Sequence, residues 1–73
     1  MSEYTFTVVF EEDEDRRIVA LCPALQGCFT EGSTMEEARR NIREAIQAHI
    51  EARLKHGEPI QREIESERVT LAL

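Results

Sequence analysis

Tryptophan is absent from this 73-residue chain, and its aromatic residues are one tyrosine and three phenylalanines. Tyr4, Phe6 and Phe10 all lie near the start, so the little aromatic area there is to bury marks that segment as core. No apolar run approaches the roughly 20 residues needed to span a bilayer. The opening Met-Ser-Glu-Tyr has no basic stretch leading into an apolar one, so no secretory signal is expected and the chain is placed in the cytoplasm. Cys22 and Cys28 are the only cysteines. In a reducing compartment they are expected as free thiols, with a disulfide open only if neighbouring strands bring their Cα atoms within about 7 Å. With His49 the nearest histidine, a four-ligand metal site lacks ligands. Gly27, Gly32 and Gly57 stand alone in turns and form no phosphate-binding loop.

Positive charge is also scarce. Nine Lys and Arg face 15 Asp and Glu, a net charge of -6. Sequence-independent nucleic-acid binding needs an excess of cations against phosphate and is disfavoured. The acidic balance suits a basic partner, and it serves solubility equally well. At 41% hydrophobic and 33% charged residues, this is a charge-rich surface over one modest core. The length allows one domain, residues 1–73. A chain of this size buries only about 60% of its unfolded surface. Without an evident disulfide or metal, oligomerisation is the expected supplement.

Residues 3–11 alternate Tyr4, Phe6, Val8 and Phe10 with Thr5, Thr7 and Val9, the period of a half-buried strand. Glu11, Glu12, Asp13, Glu14 and Asp15 then form an acidic run. Arg16-Arg17 and the apolar Ile18–Leu21 follow, predicting a hairpin with its acidic tip in solvent. Pro23 ends the second strand for want of an N–H, Ala24–Gly27 turns, and Cys28–Glu31 makes a third strand. Thr34 and Glu37 have the spacing of a capping box. The helix is predicted from Met35 to about His56, with Ala38, Ile42, Ala45, Ile46, His49, Ile50 and Leu54 on one face. Gly57 is placed to end it, with Pro59 just beyond. Residues 58–66 are a polar connector. Arg68–Leu73 alternates again, with Val69, Leu71 and Leu73 on one side of a final strand.

The expected architecture is α+β with the order β-β-β-α-β. It is a four-stranded, mostly antiparallel sheet of order 3-2-1-4 with one long helix packed on one face. A right-handed crossover would lay the last strand beside the first. The other face, with Thr5, Thr7, Val9 and Thr70, is mildly apolar and is a second hint of self-association.

This ordered set of residues resembles the HicB-like antitoxin family. The resemblance rests on the aromatic first strand, the acidic hairpin and Pro23-Ala24-Leu25-Gln26-Gly27-Cys28. It continues through Thr30-Glu31-Gly32-Ser33-Thr34, Glu36-Glu37-Ala38, Asn41-Ile42, Glu44-Ala45-Ile46, Gly57 and Pro59, and spans roughly Tyr4 to Val69. It implies a partial ribonuclease-H-like module that neutralises a small mRNA-cleaving ribonuclease, a HicA-like toxin, by covering its catalytic histidine and RNA path. Two departures stand out. The family often turns its first hairpin with Gly-Gly where this chain has Arg16-Arg17. Many members also carry a DNA-binding domain after this module, whereas this chain stops at Leu73, so no direct DNA binding is expected.

Two sets of residues are candidates for contact. The run Glu11, Glu12, Asp13, Glu14 and Asp15 would speed encounter with a basic toxin and mimic phosphate; as a bare charge run it is also what a solvated loop looks like. The last strand, Val69, Thr70, Leu71, Ala72 and Leu73, offers an edge for oligomer formation. No catalytic residue, cofactor or metal is predicted. Two-metal nuclease chemistry needs carboxylates converging on ions about 4 Å apart, whereas the acids here cluster in one loop and on the helix's exposed face. His49 reads as a core or interface residue and His56 as a helix cap. Two functions compete: an antitoxin bound to a basic ribonuclease, and an orphan homo-oligomer that binds other proteins or a small ligand.

Overall fold

The computed structural model describes residues 3–73. Three short strands come first: β1 (Val9–Glu12), β2 (Ile18–Leu21) and β3 (Phe29–Gly32), followed by one helix, α1 (Met35–Lys55). The strands form an antiparallel meander of order β1-β2-β3. The register sets Phe10 opposite Ala20 and Ala20 opposite Thr30. Because successive side chains in a strand point to opposite faces, Phe10, Ile18, Ala20, Cys22 and Gly32 look towards α1.

Between that face and the helix lies the core: Ala20, Cys22, Leu25, Cys28, Ala38 and Ile42 are buried. Phe6, Val8, Phe10, Ile18, Ala45, Ile46, Ile50 and Ile60 are partly buried around them. Leu25 enters the core because the segment after β2 closes on itself. Cys22 donates its N–H to Cys28 O (3.0 Å), and Cys28 donates to Leu25 O (3.0 Å). Gly27 makes the closure with φ 79°, a left-handed conformation that costs glycine nothing sterically.

The helix begins where its sequence says it should. Thr34 is extended (φ -136°, ψ 163°) and its Oγ1 accepts the Glu37 N–H at 3.1 Å. The reciprocal half of the cap differs from expectation: the Glu37 carboxylate takes the Ser33 hydroxyl at 2.9 Å. At the other end Gly57 (φ 69°) lets its N–H reach Leu54 O (3.2 Å) while Glu58 N–H reaches Arg53 O (2.8 Å), a Schellman closure. A 21-residue helix is about 32 Å long, whereas a four-residue strand spans about 13 Å. The second half of α1 therefore overhangs the sheet. Leu54, expected on the buried face, is 58% exposed for that reason.

Two expectations about the strands also fail. The first strand is ladder-bonded only over Val9–Glu12, not from residue 3. The predicted final strand, and with it the four-stranded order 3-2-1-4, is not formed: residues 68–73 have no strand structure. Side chains explain this. The carboxylate of Glu63 takes both the Thr7 N–H (2.7 Å) and the Thr7 hydroxyl; continuing the register, that N–H faces the β2 side, so the connector is held beside Pro23 and Ala24, away from the free edge of β1 where a fourth strand would pair. Arg62 sits over the Tyr4 ring (5.0 Å to its centroid), and Ile60 packs on the core. The connector is thus held against the amino-terminal segment by side chains, and the alternating residues beyond it pair with no strand. Val69, Leu71 and Leu73 are exposed.

Candidate interaction surfaces

The acidic hairpin comes first, because it carries the most concentrated charge. The structure divides its five carboxylates. Glu11 and Glu12 belong to β1 and are exposed on opposite faces of the sheet. Asp13 is half-buried and turned inward. Its Oδ1 accepts the N–H groups of Asp15 and Arg17, both at 2.9 Å. Its N–H and carbonyl close the loop on Arg17 O (2.9 Å) and Arg16 N–H (3.0 Å). Only Glu14 and Asp15 form the tip. Arg16 has φ 63°, a left-handed conformation that costs a non-glycine residue about 1 kcal/mol or more. The departure from Gly-Gly noted in the sequence is thus absorbed as backbone strain, with Asp13 holding the loop around it.

A different surface stands out on the side of the sheet away from α1. The register aligns Val9, Leu21 and Phe29 in one row across all three strands, with Val19 in the next row between Glu11 and Glu31. Phe29 is 67% and Val9 39% exposed. Antiparallel sheets with one solvated face usually present polar side chains there. Next to Val9 the row opens into a groove of about 850 Å³ lined by Pro23, Ala24, Ile64, Glu65 and Glu67. The sequence placed Val9 on this face but missed Leu21 and Phe29. The alternation of Cys28 with Phe29 held the signal: if Cys28 is buried, Phe29 must point out.

The predicted oligomer edge, Val69, Thr70, Leu71, Ala72 and Leu73, is exposed throughout. Its neighbours in sequence line the groove, but it does not join the acidic hairpin in one site. His49 and His56 border a shallow depression on the overhanging part of α1, with Ala52 and Arg53 between them. Among the described residues no three of His, Cys, Asp and Glu stand together as a metal ion would need, and no polar or charged side chain is buried.

Cys22 and Cys28 are free and buried. Burial pushes both thiols above their ordinary value of 9.0, with backbone hydrogen bonds partly opposing this at Cys22 and the neighbouring Cys22 adding to it at Cys28. The unfolded chain therefore loses these protons at a lower pH than the folded one. Their contribution to stability is full below pH 9.0 and is lost as pH rises above it. Thermal melts at rising alkaline pH should show the loss, and C22A/C28A should lose less over the same interval. An equal loss in that variant would place the cause elsewhere.

The protein is a small α+β module, one face of its sheet sealed by a helix and the other left open, apolar and rimmed by acids. The chain belongs to the HicB-like antitoxin family of bacterial toxin-antitoxin systems, whose family model matches residues 6–71. It is 52% identical over 58 residues to a UPF0150 protein of Thermoplasma acidophilum, covering 80% of this chain and 84% of that one. A UPF0150 protein of Synechocystis is 42% identical over 60 residues, covering 82% of this chain and 76% of that one. An uncharacterized 14.9 kDa protein of Haemophilus phage HP1 is 36% identical over 55 residues, 75% of this chain but 41% of that one. No solved structure matches the chain. No helix among the described residues is long and apolar enough to cross a membrane.

Proposed function

We propose that this protein is an antitoxin that acts by binding and not by catalysis: it neutralises a small basic mRNA-cleaving ribonuclease, a HicA-like toxin, in the cytoplasm by covering its active site. The observation that carries this reading is the family match across residues 6–71. The net charge of -6 supports it, because an acidic surface attracts a basic toxin and disfavours contact of this module with DNA. The protein also works as a homo-oligomer, in which residues Val69–Leu73 of one copy complete another copy's sheet as its fourth strand, restoring the order 3-2-1-4 and the partial ribonuclease-H-like fold. The exposure of Val69, Leu71 and Leu73 favours that assembly, and it equally favours a second reading, an orphan oligomer with no toxin.

A pull-down of the tagged protein from its native lysate at low and high salt separates these readings. The antitoxin reading expects a small basic protein, released as salt rises, that cleaves RNA when alone and stops when this protein is added back. Recovery of the chain alone, as a stable oligomer by light scattering, would leave the orphan reading standing. A monomer at micromolar concentration would remove the oligomer.

A further inference from the structure

We infer that the toxin docks on the open face of the sheet, anchored on Phe29, and that the acidic hairpin tip is not its binding site. The identity of the partner rests on the antitoxin reading; the choice of surface does not. Three observations carry it. First, Val9, Leu21 and Phe29 form an unbroken apolar row from one edge of the sheet to the other, with Phe29 at 67% exposure. A large aromatic side chain standing clear of its own fold is the kind of residue that dominates interface energetics. Second, the row is continuous with the groove beside Val9, where Ile64 is 98% exposed, so the apolar surface extends beyond the sheet.

Third, the rim selects the occupant. Glu11 and Glu31 flank the row on the sheet, and Glu65 and Glu67 line the groove. Arg17, its Nε 3.4 Å from Glu31, offsets that carboxylate, and Arg62, over the Tyr4 ring, brings one positive charge to the groove. Glu11, Glu63, Glu65 and Glu67 outnumber it, so the rim is acidic on balance. A second copy seated on this face would bring its own carboxylates against these, which is repulsive. A basic protein with an apolar patch ringed by Arg or Lys meets both the row and the rim. The hairpin is the poorer surface, because Asp13 is spent holding the loop and Glu12 lies on the helix side of the sheet.

The test places the photocrosslinker p-benzoylphenylalanine at position 29, 14 or 40 of the full chain in the native host. The partner is identified by mass, and its affinity for F29D is then measured. The expected result is an adduct with a protein of net positive charge from position 29, none from positions 14 and 40, and about 100-fold weaker binding by F29D. The fold of F29D should be unchanged by circular dichroism, since Phe29 is exposed. The inference is overturned by an adduct from position 14 alone, by no adduct from position 29, by an adduct of two copies of this chain, or by an acidic partner. The two readings fail separately. A basic partner trapped at position 29 that does not cleave RNA keeps the surface and removes the antitoxin. A ribonuclease trapped only at position 14 does the reverse.

Discussion

Gly32→Ala is expected to destabilise the protein by about 3 kcal/mol, the upper end of what overpacking usually costs. A Cβ on Gly32 would stand 2.6 Å from Ala38 N and 3.0 Å from Ala38 Cα, closer than carbon and backbone atoms can approach. The clash is with main chain, and neither side can give. Gly32 is held in register opposite Ile18 as the last residue of β3, and Ala38 N is already bonded to Thr34 O at 2.9 Å in the first turn of α1. Only Ser33 and Thr34 join the two elements, so the helix cannot lift away without breaking its cap. For a domain of this size, 3 kcal/mol lowers the melting temperature by about 12–24 °C. It is also a large part of the roughly 4–11 kcal/mol that 73 residues would supply. Thermal denaturation followed by circular dichroism measures it. A melting temperature within a few degrees of wild type would mean that the helix does not rest on the end of β3.

Ile42→Ala should cost about as much, by the opposite route. Ile42 is 1% exposed and is one of only two fully buried helix residues, the other being Ala38. Truncation removes the one large side chain that α1 drives fully into the cluster of Ala20, Cys22, Leu25 and Cys28. Lost transfer free energy and the residual cavity together amount to about 2–5 kcal/mol for such a change. Urea titration should show a lower midpoint with an unchanged slope. Ile42→Val should recover most of the difference. Leu54→Ala is the internal contrast, because Leu54 is 58% exposed and its truncation should change stability little. A small effect at Ile42 with a large one at Leu54 would mean that the helix is rotated on the sheet.

The candidate site was less legible than the fold. Five consecutive carboxylates announce themselves in a sequence, and the open face of the sheet does not. Once the chain is folded, Asp13 turns inward to accept two N–H groups, and the run ceases to be one patch. The exposed row draws one residue from each strand, at positions 9, 21 and 29. Nothing in the local sequence marks these as neighbours, since strand pairing alone brings them into line.

Local chemistry by itself determined the helix with both its ends, and the second strand. The capping hydroxyl of Thr34, the left-handed glycine at position 57 and the spacing of Ala38, Ile42 and Ile46 define the helix at Met35–Lys55. The apolar Ile18–Leu21 is β2 as read. These signals act within a few residues, so the sequence carries them whole. Tertiary structure alone decided what happens at the two ends of the chain. Residues 3–8 and 68–73 both have the alternation of a strand. A strand, however, is completed by a neighbour's backbone, and the Glu63 carboxylate ties the connector to Thr7 on the β2 side, away from the free edge of β1. Alternation records which side chains a strand would bury; whether a partner is there to bury them is a fact about the fold.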